Sequence, residues 1–151
     1  MENKTEQRKK SGLNLVINGL GRIGKLTLWH HVGRKYFDEI VVNMGRRVGR
    51  SIEDLAHYIE NDSTYGSLQW YLYGHKAGGV ITDLDEEKGA MKIDGIPVTI
   101  LREKRNPKEI EWDRHGVKVV VDATGQFLDP TLPADNSKGS LRGHFDGGAR
   151  K

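Results

Sequence analysis

The stretch Leu15–His31, LVINGLGRIGKLTLWHH, decides the fold. It begins with an apolar run, passes through three glycines with the spacing G-x-G-x-x-G, and continues into a segment with helical periodicity. An almost unbroken apolar strand is typical of parallel sheets, whose strands are covered on both faces. The stretch therefore predicts a strand at about residues 13–18, a glycine turn, and a helix from about Arg22 to Val32 that ends near Gly33.

Two further apolar strands and a second helix follow the same pattern. The strands are EIVVN at Glu39–Asn43 and VKVVVDATG at Val117–Gly125, which again leads into a glycine. Ser51 is a predicted helix N-cap, with Asp54 three residues later. Alternation in residues 88–103 predicts a strand, a tight turn and another strand. The predicted fold is α/β, Rossmann-type and doubly wound, with a mostly parallel sheet, helices on both faces and an inserted hairpin.

Composition sets the number of domains and excludes several classes of protein. At 151 residues the chain has the length of one domain. Residues 1–12 are predicted to be a disordered polar tail without the apolar core of a secretory signal, and residues 13–151 a dinucleotide-binding domain. No apolar run approaches the roughly 18 residues of a membrane span. The net charge of +3 is mild and spread along the sequence, so nucleic acid is not an expected partner.

Cysteine and histidine usage argues against metal and thiol chemistry in these residues. The sequence contains no cysteine, which excludes disulfides, thiolate metal ligands and a cysteine nucleophile from the 151 residues. His30 and His31 are adjacent on a predicted helix and therefore point to different faces. The other four histidines are isolated and are expected to be ordinary surface or packed residues. The sequence predicts no metal site.

The aromatic group WYLY at Trp70–Tyr73 has two interpretations. A stacking platform for single-stranded nucleic acid is conceivable, because bases stack on aromatic rings. Strand alternation explains the pattern better. The surrounding residues 67–89 are predicted to form an extended hairpin or a subunit contact.

The three glycines of the first turn have the spacing of a dinucleotide-binding site. Gly19 permits a sharp turn, Gly21 lets the backbone approach a pyrophosphate, and Gly24 lets helix and strand pack closely. The N–H groups at the start of the following helix are free to bind the anion. The alternative is that the glycines serve the geometry of the turn alone.

Five stretches in sequence order resemble the glyceraldehyde-3-phosphate dehydrogenase family: INGLGRIGKLTL, ENDSTYG, IDGIPVTILREKRNPKEIEW, VVVDATGQFL and GHFDGGARK. The resemblance implies a cytoplasmic homotetramer that oxidises glyceraldehyde 3-phosphate to the 1,3-bisphosphate with NAD or NADP. It places the catalytic cysteine and histidine in a further domain, so no catalytic residue is assigned here. The alternatives are a stand-alone dinucleotide-binding module or sensor and a nucleic-acid-binding protein.

The resemblance also implies roles for single residues. Arg22 and Ile23 correspond to the pair whose backbone meets the pyrophosphate. Arg105, in KRNP where the family commonly has RDP, is similar to the arginine near the adenine; the alternative is a solvated arginine. Thr124 and Gly125 resemble the residues beside the nicotinamide, although Thr124 could equally be a satisfied strand-end hydroxyl.

The end of the second strand departs from the pattern of NAD-binding sites. Such sites place a carboxylate there, about 20 residues after the glycines, to accept hydrogen bonds from the ribose. Here Asn43 is followed by Met44, Gly45 and Arg46. The missing carboxylate removes a repulsion toward a 2′-phosphate, and the Arg46 guanidinium could hold that phosphate. Met44 and Arg46 are therefore candidate cofactor residues. The alternative is a solvated loop or a subunit contact.

Overall fold

The apolar run before the glycines forms strand β1 (Asn14–Asn18), which lies in the interior of a six-stranded sheet. The computed structural model describes residues 10–45, 49–76, 78–102 and 104–151. The other elements of these residues are α1 (Arg22–Arg34), β2 (Glu39–Asn43), α2 (Ile52–Glu60), β3 (Asn61–Asp62), β4 (Gly66–Ser67), α3 (Leu68–Tyr73), β5 (Ile81–Asp85), β6 (Ala90–Ile93), β7 (Ile96–Leu101), β8 (Val117–Asp122) and α4 (Gly143–Asp146). Short 3-10 turns occupy Gly74–Lys76, Pro107–Glu109 and Trp112–His115.

The six-stranded sheet has the strand order β5-β6-β7-β2-β1-β8. The pairs β1–β2, β1–β8 and β2–β7 are parallel, whereas β5–β6 and β6–β7 are antiparallel. The carboxyl ends of β7, β2, β1 and β8 therefore meet at one edge of the sheet. In open α/β sheets that edge is where ligands bind.

Both faces of β1 and β2 are buried, as their unbroken apolar sequences predict, whereas the edge strand β8 is mostly half-buried. Leu15 and Ile17 of β1 face a large core that also contains Leu28 and Trp29 of α1. Val16, on the opposite face, packs in a smaller cluster with Trp112 and Ala149. The sheet is thus covered on both sides, by α1–α3 on one and by 3-10 turns and the segment around α4 on the other.

The two long helices begin where the sequence predicts. α1 begins at Arg22, and α2 follows Ser51, whose hydroxyl accepts from the N–H of Asp54 while the Asp54 carboxylate accepts from the N–H of Ser51. Such a cap stabilises a helix by about 1 kcal/mol. α1 ends at Arg34, one residue beyond the predicted Gly33, and Lys35 takes the left-handed conformation (φ 53°) that ends it.

The aromatic group at Trp70–Tyr73 is helical, so its interpretation as a strand is wrong. It forms α3, which the Ser67 hydroxyl caps by accepting from the N–H of Trp70 at 3.3 Å. Leu68 is fully buried and Leu72, four residues later, packs against the same core. This spacing puts both leucines on one helical face, and a short apolar run does not distinguish that face from strand alternation.

The predicted hairpin is confirmed: β6 and β7 pair in antiparallel fashion around Asp94 and Gly95, whose φ angles of 49° and 78° suit a two-residue turn.

The predicted N-terminal tail lies mostly outside the described residues. Its last two residues, Ser11 and Gly12, donate their N–H groups to the Asp38 carboxylate at 2.8 Å each. Within the described ranges, no helix has the length and apolarity needed to cross a bilayer.

Candidate functional site

A cavity of about 290 Å³ lies at the carboxyl ends of β2, β1 and β8. The loops that leave these three strands form its walls. The lining residues are Asn18, Gly19, Leu20, Gly21, Asn43, Met44, Gly45, Arg105, Ala123, Thr124, Gln126 and Phe127. Five of the ten residues that the sequence analysis proposed as cofactor contacts line the cavity: Gly19, Gly21, Met44, Arg105 and Thr124.

The three glycines of the first turn have three different environments. Gly19 has a φ of +92°, and a Cβ there would lie 3.0 Å from the backbone of Thr124. A Cβ on Gly24 would lie 1.9 Å from the carbonyl oxygen of Gly19, so only glycine lets α1 pack on the turn. A Cβ on Gly21 would meet nothing within 4 Å. Packing therefore explains Gly19 and Gly24, whereas the need for glycine at Gly21 lies outside the protein's own contacts.

The N-terminus of α1 points its backbone donors toward this turn. The helix begins with the bond from the N–H of Lys25 to the carbonyl of Gly21, at 2.9 Å. The N–H groups of Arg22, Ile23 and Gly24 precede that bond and are available to an anion. The side chains of Arg22 and Ile23 are exposed and do not line the cavity. Any contact of this pair with a ligand in the cavity is thus made by the backbone.

The end of β2 carries amide and apolar side chains instead of a carboxylate. Met44 is buried, with 2% of its surface exposed, and lines the cavity. The Arg105 guanidinium donates through Nε to the carbonyl of Gly45, which holds this exposed arginine at the rim. Arg46 lies outside the described residues. At this strand end the structure therefore shows a rim arginine beside a wall whose described lining residues carry no negative charge.

The end of β8 carries the ionised group of the site. The Asp122 carboxylate accepts four hydrogen bonds: from Asn18 Nδ2 (2.8 Å), the N–H of Thr124 (3.0 Å), Thr124 Oγ1 (2.6 Å) and His144 Nε2 (3.0 Å). Burial raises the pKa of Asp122, but the hydrogen bonds from His144, Thr124 and Asn18 outweigh it and hold that pKa below its ordinary value. The hydroxyl of Thr124 is thus satisfied at the strand end, and its residue still lines the cavity.

Side-chain amides join the three strand ends. Asn18 donates to Asp122, and its Oδ1 accepts from Asn43 Nδ2 at 2.8 Å. Asn43 Nδ2 also donates to the carbonyl of Lys104 at 3.0 Å. Because Asp122 only accepts, it fixes the orientation of both amides. Asn43 Oδ1 is left buried and without a partner among the described residues.

The sequence analysis missed two side chains, Lys25 and Tyr58, that support the glycine turn. Lys25 is 3% exposed and donates to the carbonyl of Asn61 at 2.7 Å and to Asp62 at 3.3 Å, and its Nζ lies 4.1 Å from the ring centre of Tyr58. The Tyr58 hydroxyl donates to the carbonyl of Leu20, inside the glycine turn, at 2.7 Å. The helical stripe of α2 and the NDSTYG turn gave no sign of these contacts, because they depend on how α2 packs on α1.

One of the two residues predicted to lie beside the nicotinamide, Thr124 and Gly125, lines the cavity. Thr124 lines it, whereas Gly125 has a φ of +68° and an open position for a Cβ. Gln126 and Phe127, which the sequence analysis did not propose, line the cavity next to it. Gly125 therefore supplies the left-handed turn that returns the chain to the cavity. No group of three or more metal-ligating His, Asp or Glu side chains occurs in the described ranges.

Comparison with known proteins agrees with the family resemblance seen in the sequence. The family described as glyceraldehyde 3-phosphate dehydrogenase, NAD binding domain, matches residues 13–130. The chain belongs to this family. It is 30% identical over 139 residues to glyceraldehyde-3-phosphate dehydrogenase 1 of Kluyveromyces lactis, and 33% identical over 143 residues to the chromosomal enzyme of Cupriavidus necator. Both matches cover 92% of this chain and 35% of the relative, so the chain spans about a third of the length of these relatives.

The residues present fit the dinucleotide that this family's domain binds. The open position beside Gly21 leaves room for a pyrophosphate against the backbone, and the free N–H groups of Arg22–Gly24 face it. Asn43 lines the β2 end of the cavity, and its Oδ1 is buried without a partner among the described residues. The glyceraldehyde-3-phosphate dehydrogenase resemblance found in the sequence is therefore confirmed, together with the Rossmann-type fold that it implied.

Proposed function

We propose that this chain is the cofactor-binding part of a phosphorylating glyceraldehyde-3-phosphate dehydrogenase. The observation that carries the proposal is the glycine turn, in which Gly19 and Gly24 are required by packing but Gly21 faces open space at the start of α1. When bound, the nicotinamide cofactor accepts the hydride that the aldehyde substrate loses. The chain's own residues bind and orient it: the α1 N-terminus at the pyrophosphate, Arg105 toward the adenine, and Thr124 and Gly125 toward the nicotinamide.

The 151-residue chain is proposed to bind cofactor without catalysing the oxidation. Its sequence contains no cysteine that could form the thiohemiacetal with the aldehyde. The chain incubated with glyceraldehyde 3-phosphate, inorganic phosphate and cofactor is expected to produce no reduced cofactor. Absorbance at the reduced nicotinamide band measures this, and clear turnover would contradict the proposal.

The cofactor preference is proposed to include NADP, bound at least as well as NAD. β2 ends at Asn43 and the buried Met44 follows it, so among the described residues no carboxylate stands where a 2′-phosphate would arrive. Arg46, three residues after the strand end, is proposed to hold that phosphate by charge-assisted hydrogen bonds. The absence of repulsion is supported by the described residues, and the arginine contact is the part that needs a direct test.

Calorimetric titration of NAD and NADP into the chain tests both parts. Arg46→Ala is expected to weaken NADP by about tenfold, the scale of one charged hydrogen bond, and NAD by much less. Arg50→Ala, in the same loop and beyond the strand end by several residues, is the matched control and is expected to leave both affinities within about twofold. A strong preference of the wild type for NAD that Arg46→Ala leaves unchanged would refute this cofactor assignment.

We further propose a homo-oligomer in the cytoplasm, a tetramer in the full-length enzyme, as the family resemblance implies. The exposed aromatic side chains of α3, Trp70 and Tyr71, are 58% and 51% exposed and support a subunit contact on this face. Sedimentation velocity of the full-length protein, with Trp70→Ser as the perturbation, measures whether this face takes part.

A further inference from the structure

Two turns of this chain share the same local hydrogen bonds but differ in what surrounds them. In the Asp122-Ala-Thr124 turn the carboxylate accepts from the threonine N–H at 3.0 Å and its hydroxyl at 2.6 Å. In the Asp129-Pro-Thr131 turn the corresponding distances are 2.8 and 2.6 Å. Asp129 is exposed, whereas the side chain of Asp122 is 10% exposed and accepts two further bonds, from Asn18 and His144. The local turn thus needs only the first pair of bonds.

His144 is held in one tautomer by its two partners. The indole Nε1 of Trp112 donates to His144 Nδ1 at 3.1 Å, and an indole N–H can only donate. Nδ1 therefore carries no proton. Nε2, 3.0 Å from the Asp122 carboxylate, carries the proton and donates it. A histidine that is 5% exposed is in this way fixed as a donor to Asp122.

The backbone around His144 is seated closely enough to fix its position. A Cβ on Gly143 would lie 2.9 Å from the N of Lys108, and one on Gly147 would lie 2.3 Å from the carbonyl oxygen of Ile110. The two glycines that flank His144 therefore let α4 rest directly on the 107–112 segment. The histidine is anchored through its ring and through the backbone on both sides.

Asp122 transmits this anchoring to the cavity wall. The Thr124 backbone that it holds would lie 3.0 Å from a Cβ on Gly19, so the turn after β8 and the turn after β1 are in contact. Through Asn18 the same carboxylate holds the amide next to Gly19. A displacement of Asp122 would move both walls of the cavity together.

We propose that Asp122 and His144 are positioning residues of the cofactor site: His144, locked as a donor by Trp112, holds the Asp122 carboxylate, and Asp122 fixes the Thr124 turn against the Gly19 turn. The inference rests on the proposed cofactor binding. Neither residue is required to touch the cofactor. Their contribution is a cavity whose two walls are already in place when the cofactor arrives.

Asp122→Asn is the perturbation that tests this arrangement. In one orientation the amide Nδ2 would face the donors Asn18 Nδ2 and His144 Nε2, and in the other it would face the N–H of Thr124, so at least one bond to a donor is lost either way. The affinity for NAD measured by calorimetry is expected to fall about tenfold or more, the effect of losing a hydrogen bond to a charged group. Asp129→Asn, in the matching exposed turn, is the control and is expected to keep the wild-type affinity within about twofold.

A double-mutant cycle separates positioning from general destabilisation. Because His144 acts through Asp122, the variant Asp122→Asn/His144→Phe is expected to lose little more affinity than Asp122→Asn alone. Additive losses would overturn the proposed route from His144 through Asp122. Absence of NAD and NADP binding to the wild type overturns the proposed function itself, whereas wild-type binding that Asp122→Asn leaves unchanged overturns only the positioning role.

His144 provides a second test that remains valid if Asp122→Asn fails to fold. His144→Phe removes the donor and is expected to weaken NAD binding several-fold, and His144→Gln, whose amide can donate to Asp122, is expected to restore most of it. Nitrogen-15 NMR of the wild type is expected to show an unprotonated Nδ1 and a protonated Nε2 for His144. An Nδ1-protonated ring, or a Gln variant that binds no better than the Phe variant, would overturn the proposal.

Discussion

The sharpest test of the site is a pair of identical substitutions in the glycine turn, Gly21→Ala and Gly24→Ala. Both add one methyl group within a stretch of four residues. The structure predicts opposite consequences for them, because a Cβ on Gly24 would lie 1.9 Å from the Gly19 carbonyl oxygen, whereas one on Gly21 would meet nothing within 4 Å. Gly24→Ala is expected to destabilise the fold, whereas Gly21→Ala is expected to weaken only the binding of a ligand.

The expected magnitudes follow from these distances. At Gly24 the two atoms must separate by more than an ångström, and both partners are close to rigid backbone; overpacking of this kind costs about 1–3 kcal/mol. For a domain of this size the Tm would fall by roughly 2–4 °C for each kcal/mol. Gly21 has φ −74° and ψ −167°, which alanine adopts readily, so its free energy of unfolding is expected to change by less than about 1 kcal/mol.

Binding is expected to reverse the order of the two variants' defects. A methyl group at Gly21 would stand where the pyrophosphate approaches the backbone, and we expect NAD affinity to fall by about tenfold or more, which is about 1.4 kcal/mol. Thermal unfolding and calorimetric titration of both variants measure the two quantities. If Gly21→Ala binds NAD like the wild type, the pyrophosphate does not lie on this turn, and the reasoning from the open position is refuted.

The remaining expected outcomes concern the support of the turn, acid stability and the sheet edge. Tyr58→Phe removes the bond to the Leu20 carbonyl and is expected to cost about 1 kcal/mol in denaturant unfolding with weaker NAD binding; wild-type values for both would contradict this. The pKa of Asp122 is lowered in the folded state, so its ionised carboxylate stabilises the fold fully above the unfolded-state pKa of about 3.9, and this stabilisation is lost as the pH falls through the folded-state pKa. Asp122→Asn is therefore expected to flatten the dependence of unfolding on acid pH, and an unchanged dependence would refute this. Among the described residues, β8 pairs outward through Lys118 and Val120 alone, with residues 150–151. The open remainder of this edge is expected to cause concentration-dependent association that sedimentation detects; a strict monomer at high concentration would argue against it.

The parallel part of the fold could be predicted because local signals and burial agree there. β1, β2 and β8 are short apolar runs that each end at a turn, and the structure buries both faces of β1 and β2 and half-buries most of β8. Strand order could not be predicted from these runs, since register and neighbours depend on contacts far apart in sequence. α3 was assigned the wrong period because six residues containing three aromatic side chains fit either a strand or one helical face.

The site could be predicted as far as the glycine motif reaches and no further. The spacing of Gly19, Gly21 and Gly24 after a strand predicted a ligand site at the end of β1, and the cavity lies there. The partnership of Asp122 with His144 was not predictable: 22 residues separate them, and only the seating of α4 on the 107–112 segment brings them to 3.0 Å. The local sequence GHFDGG does not indicate that its histidine binds a carboxylate.

The distribution of charge across the strand ends bears on the cofactor preference. β8 ends in a buried carboxylate, Asp122, whose hydrogen bonds are all donated by the protein, so it presents little unpaired negative charge to the cavity. β2 ends in Asn43, whose Oδ1 is a neutral acceptor without a partner among the described residues. A neutral amide at this place does not repel a neighbouring phosphate, whereas a carboxylate would. With Arg105 at the rim, the described residues on the β2 side of the cavity combine a neutral amide and a cation with no carboxylate, and this combination is why we expect the chain to tolerate a 2′-phosphate.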